Sequence, residues 1–175
     1  MSVQSGSNNI LKKMRRLYTR EEYLDKINLI KNNFTDATFT TDLIIGFPGE
    51  TDQDFEESLN IISEAGFLKT HVFPYSQRSG TLAASFDNQI TRNIKSQRVK
   101  KAVQISNQNT KKILDRYINT HQEVLFETCD ENNFYQGYTS NYILVKTKSL
   151  KNISGKIVKV RVASSQSNYV IGETY

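Results

Sequence analysis

The chain has 175 residues, one cysteine and a formal net charge of +5. This length suffices for one domain with its own core, or for part of a larger domain followed by a small one. No stretch reaches the roughly 20 apolar residues of a membrane span, and the polar, basic start is not a secretory signal, so we expect no membrane partner and a cytoplasmic location. The lone Cys129 cannot by itself hold zinc or an iron–sulfur cluster, so the sequence predicts no metal site of its own.

The positive charge is concentrated in two stretches. Residues 86–120 carry eight basic and two acidic side chains. A second run without acids consists of Lys146, Lys148, Lys151, Lys156, Lys159 and Arg161. Clustered cations fit a phosphate backbone, but a solvated surface explains them as well, and charge alone leaves both interpretations open.

The first half of the chain predicts alternating helices and strands. Thr19 and Glu22 have the spacing of a helix-capping box, and a nearly continuous β-branched and apolar run before the GFPG turn is typical of a strand buried on both faces. The predicted elements are a helix over about 20–32, a strand ending at 45, a helix from 52 to the cap at 66, and a strand over 70–75. Strand, helix and strand with short connections indicate a parallel βαβ unit.

The second half changes character near residue 120. A basic amphipathic helix is expected from Thr91 to about Ile118. After His121 the runs EVLFET, YILVKT and GKIVKVRVA are separated by polar turns, and a final run SNYVIGETY follows. These runs predict a small antiparallel barrel of about 55 residues.

Longer motifs resemble a known family. GFPGET, DFEESLNIISEAGF and HVFPYSQRSGTLAA are similar, in that order, to the second half of the radical S-adenosylmethionine (SAM) barrel of tRNA methylthiotransferases. The opening VQSGSNNILKKMRRLYT is similar to the fourth-strand exit and following helix of these enzymes, and the tail resembles their tRNA-binding TRAM domain. The resemblance implies an α/β fold: half of a radical-SAM (TIM-like) barrel with its connecting helix over 1–120, then a small all-β TRAM barrel over 121–175.

The resemblance also implies a reaction for the full-length enzyme. A reduced cluster cleaves SAM, the resulting radical takes hydrogen from C2 of an adenine at position 37 of tRNA, and sulfur and a methyl group are delivered. HVFPYSQRSGT is most similar to the branch that acts on N6-threonylcarbamoyl-adenosine. The isopentenyl-adenosine branch remains an alternative, as does a radical enzyme acting on a ribosomal protein, although the basic tail favours RNA.

The cysteine motifs of that family are not in this sequence. Family members hold one 4Fe–4S cluster through CxxxCxxC and a second through three cysteines of another domain, whereas this chain has one cysteine. We therefore expect the chain to be inactive alone, with the clusters and the sulfur and electron donors belonging to the full-length enzyme. We interpret it as a fragment, a wrongly assigned start or a deliberately shortened chain; a stand-alone RNA-binding remnant is the rival hypothesis.

The strand ends supply a predicted partial SAM site, because side chains at the carboxyl ends of parallel barrel strands face the reaction. By resemblance, the site consists of Gln4, Ser5, Gly6, Ile44, Ile45, Gly46, Phe47, Tyr75 and Arg78. The first three are expected at the ribose and methionine part, the next four at the adenine, and Arg78 at a carboxylate or a tRNA nucleotide. Ordinary loop chemistry at Ser5 and Gly6, and core packing of the isoleucines, are the competing interpretations.

The resemblance implies a tRNA anticodon loop as the RNA partner, since position 37 lies in that loop. Single-stranded loops are read by aromatic and cationic side chains. The candidate contacts are Arg16, Tyr138, Lys146, Lys148, Lys151, Lys156, Lys159 and Arg161. The alternative interpretation of Arg16 is a solvated arginine at a helix start. The alternative for the aromatic residues is that they fill the core of the barrel.

Overall fold

The computed structural model describes residues 2–174 and divides into two compact units, one ending at Asn109 and one starting at Thr110. The helices are α1 (Asn8–Lys13), α2 (Arg20–Asn33), α3 (Asp52–Ala65) and α4 (Arg92–Asp115), with a short 3-10 helix at Leu82–Ser85. The strands are β1 (Thr40–Ile45), β2 (Lys69–Pro74), β3 (His121–Cys129), β4 (Phe134–Thr139), β5 (Leu144–Lys148), β6 (Lys156–Ser165) and β7 (Val170–Thr174). Every predicted helix and strand is present, and β4 is an addition.

The first unit contains the predicted parallel pair. β1 and β2 run parallel, with Ile45 opposite Pro74. Gln4 extends this sheet on the other side of β1 through an isolated parallel bridge to Leu43. The Gln4 amide donates to the Asp42 carbonyl at 3.0 Å, and the Ile44 amide donates to the Gln4 carbonyl at 2.9 Å.

The core of this unit lies on one face of β1. Leu43 and Ile45 are fully buried there, whereas Asp42 and Ile44 point to the other face and are half-buried. Side chains of α2, α3 and α4 complete the buried core: Tyr23, Ile27, Phe55, Leu59, Ile62 and Ala102. The prediction that β1 is buried on both faces is therefore wrong within residues 2–174. The helices α2, α3 and α4 all pack on the same face of this strand.

Local capping sets the helix ends. Thr19 and Thr51 each close a capping box, and Gly66 ends α3 with a left-handed φ of 64°. These boundaries follow the sequence prediction because a cap is formed by residues close together in the chain.

The second unit is a closed five-stranded barrel with the strand order β3-β4-β5-β7-β6. All pairs are antiparallel except β5 and β7, which run parallel with Val145 opposite Val170, so the prediction of a purely antiparallel barrel is wrong at this pair. Its interior holds Val124, Phe126, Tyr135, Val145, Val160, Val162 and Val170. At Gly137, an added Cβ would lie 2.0 Å from the Leu125 carbonyl oxygen, so this strand crossing requires glycine.

Among residues 2–174, no helix is both long and apolar enough to cross a membrane.

Candidate functional site

Three chain segments leave the parallel sheet side by side. The Tyr75 amide donates to the Ile45 carbonyl at 2.8 Å, and Gln4 lies on the opposite side of β1. The structure thus brings the predicted strand ends together. Gln4 has a φ of 66°, in the left-handed region that non-glycine residues rarely adopt.

Ser5 and Gly6 are buried against α3. The Gly6 amide donates to Ser58 Oγ at 3.0 Å, and the Ser5 and Ser58 hydroxyls lie 3.2 Å apart. A Cβ at Gly6 would lie 2.3 Å from the Glu57 carbonyl oxygen. These contacts give Ser5 and Gly6 a packing role, and their predicted contact with SAM stays a prediction.

The turn after β1 is closed by a carboxylate that the sequence analysis did not single out. Glu50 accepts hydrogen bonds from the Gly46 amide at 3.0 and 3.1 Å. Arg98 of α4 donates to the Glu50 carboxylate at 2.7 Å and to its carbonyl at 3.1 Å. Burial raises the pKa of Glu50 above its ordinary value, although the Gly46 amide and Arg98 act in the opposite direction.

Lys95 of α4 fills the space beside Gly46. A Cβ added to Gly46 would lie 2.3 Å from Lys95 Cγ. Lys95 Nζ donates to the Tyr75 carbonyl at 3.0 Å and lies 5.3 Å from the centre of the Tyr75 ring. Phe47 packs edge-on against the same ring at 5.2 Å. A lysine from the same unit therefore contacts the glycine that was predicted to approach the adenine.

The residues of the predicted partial SAM site differ in accessibility. Ile44 and Gln4 are half-buried and retain accessible surface, whereas Ile45 is fully buried. Tyr75 is also half-buried, and its hydroxyl has no hydrogen-bond partner among the described residues. Arg78 is exposed and begins a turn, since its carbonyl accepts from the Thr81 hydroxyl at 2.8 Å. The contacts of these side chains with SAM stay predictions.

A 4Fe–4S cluster does not fit this part of the protein. Residues 2–174 contain no group of three or more histidine, cysteine or acidic side chains that could hold a metal ion. Cys129 is exposed at the end of β3.

In the barrel, the two lysines of β5 lie over aromatic rings. Lys146 Nζ is 4.5 Å from the centre of the Tyr169 ring, and Lys148 Nζ is 5.8 Å from that of Phe134. Phe134 is directly opposite Lys148 on β4 and is exposed. A cation beside an accessible ring can contact a phosphate while the ring stacks on a base.

The cations of β6 have different neighbours. Arg161 pairs with Glu173 at 2.6 Å, Lys159 is directly opposite Glu123, and Lys156 Nζ donates to the Asn152 carbonyl at 2.9 Å. Because β7 lies between β5 and β6, the structure divides the predicted basic run into two groups. Lys151 is exposed in the loop that joins these strands.

Tyr138 belongs to an exposed row that crosses three strands. It is opposite Leu125, which is in turn opposite Ile157, and its ring centre lies 6.3 Å from that of Tyr142. The four side chains are between 42% and 76% exposed. Alternation of side chains along each strand could have indicated Leu125 and Ile157, but their alignment depends on the strand register. Arg16, the remaining predicted contact, is exposed in the first unit.

Comparison with known families identifies both parts of the chain. The family model of the Radical SAM superfamily matches residues 1–62, and that of the TRAM domain matches residues 115–174. The chain therefore joins part of a Radical SAM domain to a TRAM domain. The five-stranded barrel lies within the TRAM match.

Relatives of the whole chain are tRNA methylthiotransferases. The threonylcarbamoyladenosine tRNA methylthiotransferase MtaB of Bacillus subtilis (strain 168) is 41% identical over 98% of this chain and 39% of its own length. The tRNA-2-methylthio-N(6)-dimethylallyladenosine synthases of Lachnoclostridium phytofermentans and Finegoldia magna are 37% and 35% identical over 99% of the chain and 38% of their own lengths. These matches confirm the resemblance to radical SAM tRNA methylthiotransferases. The chain spans about two fifths of the length of these relatives.

Proposed function

We propose that this chain is the RNA-recognising part of a tRNA-modifying radical SAM methylthiotransferase, and that its TRAM barrel holds the anticodon loop of tRNA. The observation that carries this proposal is the pairing of Lys146 with Tyr169 and of Lys148 with Phe134. Single-stranded RNA is bound by cations that follow the phosphates and by rings on which bases stack. Both kinds of group lie together at β5.

The β6 cations contribute less in this proposal. Arg161 pairs with Glu173, so an RNA phosphate would compete with this carboxylate, and Lys159 lies opposite the negative charge of Glu123. The exposed Tyr138 and Tyr142 offer further stacking surfaces on the neighbouring face. Binding would therefore be strongest at β5.

RNA-binding measurements on the 175-residue chain test the proposal. We expect a fluorescein-labelled tRNA transcript to bind, and the Lys146→Gln/Lys148→Gln variant to bind about 10-fold more weakly at ~0.15 M salt, because each single-strand phosphate contact contributes about 0.7 to the salt slope. The matched control is Lys12→Gln/Lys26→Gln, which removes the same charge from exposed lysines of α1 and α2. Absence of binding by the unmodified chain, or equal losses in both variants, would overturn the proposal.

We further propose that the complete enzyme methylthiolates C2 of N6-threonylcarbamoyl-adenosine at position 37, in the cytoplasm. The HVFPYSQRSGT motif and the 41% identity to the enzyme named for threonylcarbamoyladenosine support this substrate. The relatives named for dimethylallyladenosine, at 35% and 37% identity, favour the isopentenyl branch as the second candidate. Binding of transcripts that carry one or the other modification distinguishes the two, and tighter binding of the isopentenyl form would overturn the first.

The chain alone is expected to be inactive. Its single cysteine provides too few ligands for either cluster, so the clusters and the sulfur and electron donors would act through the rest of the enzyme. After anaerobic treatment with iron, sulfide, dithionite and SAM, we expect neither cluster absorption nor 5′-deoxyadenosine. Formation of 5′-deoxyadenosine by this chain would refute its inactivity.

A further inference from the structure

A basic cleft in the first unit lies outside the RNA surface proposed for the barrel and shares Tyr75 with the predicted partial SAM site. It lies between the end of β2 and α4 and has a volume of about 710 Å³. Its walls include Tyr75, Gln77, Arg92, Lys95, Val99 and Lys100, and none of its lining residues is acidic. This volume lies within the range of about 300–1,000 Å³ typical of small-molecule sites, so the cleft has room for a nucleotide.

The cations of α4 differ in whether they have partners. Arg98 pairs with Glu50 and Asp52, and Lys101 pairs with Glu56. Arg92 and Lys100, which line the cleft, are exposed and have no ion pair or hydrogen bond from their side chains among residues 2–174. Two cations of the cleft are therefore available to an anion.

The spacing of these two cations favours a chain of phosphates over a single anion. Arg92 and Lys100 are eight residues apart on one helix, which places their backbones about 12 Å apart at a rise of about 1.5 Å per residue. Ser96 lies midway between them on the same face and also lines the cleft. Val99 and the Tyr75 ring add apolar surface for a ribose or a base.

We propose that this cleft binds the phosphodiester backbone of RNA, with Arg92 and Lys100 contacting separate phosphates. The hydrogen bond from Lys95 to the Tyr75 carbonyl holds Tyr75 in the wall of the cleft. The side chain of Val99 contacts the sugar or base. The proposal rests on tRNA binding by this chain and adds a second contact surface, formed by residues of the first unit. In this proposal α4 binds RNA phosphates in addition to those bound by the TRAM barrel.

The test is a salt titration of binding between the 175-residue chain and the fluorescein-labelled tRNA transcript. We expect Arg92→Gln/Lys100→Gln to weaken binding about 10-fold at ~0.15 M salt and to reduce the slope of log K against log salt by about 1.4. Lys12→Gln/Lys26→Gln is again the control of equal charge and should change the slope by less than half as much. Because all four side chains are exposed, circular dichroism should show unchanged folding.

The outcomes separate this inference from the proposed function. If the unmodified chain binds and loses affinity only in the Lys146→Gln/Lys148→Gln variant, the barrel binds RNA and the cleft does not, which overturns the inference alone. Equal losses of tRNA affinity in the cleft and control variants would likewise overturn the inference. The lower net charge of the chain would then explain both losses. If the unmodified chain does not bind tRNA, the proposed function and the inference are both overturned.

Discussion

Arg98 of α4 donates a 2.7 Å hydrogen bond to the carboxylate of Glu50, whose side chain is fully buried. The same guanidinium reaches the Glu50 carbonyl at 3.1 Å and Asp52 at 2.7 Å. Glu50 in turn accepts from the Gly46 amide, so one ion pair connects α4 to the turn at the end of β1. The position of this strand end relative to the helices depends on the pair.

Replacing Arg98 by methionine should lower the free energy of unfolding by about 3–5 kcal/mol, because it leaves the Glu50 charge buried without its partner. Adding Glu50→Gln to this variant should recover part of the loss, since the remaining side chain is neutral. Urea unfolding followed by circular dichroism measures both. The control is Lys101→Met, which breaks an exposed pair with Glu56 and should cost less than about 1 kcal/mol. Equal effects of the two single substitutions would contradict this account.

Asp54 joins the start of α1 to the start of α3. Its carboxylate accepts from the Ser7 hydroxyl at 2.5 Å, from the Thr51 amide at 2.9 Å and from the Thr51 hydroxyl at 2.8 Å. Asp54→Ala should therefore lower the free energy of unfolding by about 2–3 kcal/mol, because it leaves the buried Ser7 hydroxyl without an acceptor and removes the capping box of α3. Asp25→Ala on the exposed side of α2 is the control and should stay within about 0.5 kcal/mol of the unmodified chain.

The same carboxylate should make stability depend on acid pH. Burial by itself raises the pKa of Asp54, but the hydrogen bonds from Ser7, Thr51 and Asn9 outweigh it and lower the pKa below the ordinary value. The folded state then binds this proton less readily than the unfolded state. Its contribution is present above the unfolded pKa of about 3.9 and is lost as pH falls through the folded pKa. Urea midpoints between about pH 5 and pH 2 should fall less steeply in Asp54→Asn than in the unmodified chain. Parallel curves would exclude Asp54 as the cause.

The barrel should be intolerant of a side chain at Gly137. A Cβ there would lie 2.0 Å from the Leu125 carbonyl oxygen and 2.6 Å from Phe126 Cα, and backbone cannot move aside cheaply. We expect Gly137→Ala to lower the free energy of unfolding by more than about 3 kcal/mol, a loss typical of severe overpacking. Gly155→Ala has open space around the added Cβ but a φ of 71°, so it should cost only about 1 kcal/mol. Thermal unfolding of both variants measures the difference, and a well-folded Gly137→Ala barrel would show that the strands can separate there.

The helices and most strands could be predicted because their signals are local. The capping boxes at Thr19 and Thr51 and the glycine cap at Gly66 each involve residues a few positions apart. β4 was missed because a glycine interrupts FYQGYT, although its aromatic residues favour a strand; the glycine is explained only by the close approach of β3. The parallel pairing of β5 and β7 has no local signal at all.

Part of the candidate site could not be predicted for the same reason. Glu50 and Arg98 are 48 residues apart, and Lys95 fills the space at Gly46 only because α4 packs on the turn. The burial of Ser5 and Gly6 against Ser58 could not be predicted, because it depends on the packing of α3. The predicted roles of these residues toward SAM remain predictions.

The sequence by itself determined the resemblance to tRNA methylthiotransferases, the order of a radical SAM segment and a TRAM barrel, and the helix ends, because motif, composition and capping are carried by neighbouring residues. Only the tertiary structure decided which cations are available. The lysines of β5 lie over aromatic rings, while Lys159 and Arg161 of β6 are opposite Glu123 and Glu173. These neighbours differ because β5 pairs with β4 and β7, whereas β6 pairs with β7 and β3. The sequence gives the number of charged side chains, but the tertiary structure determines which of them have an acidic neighbour.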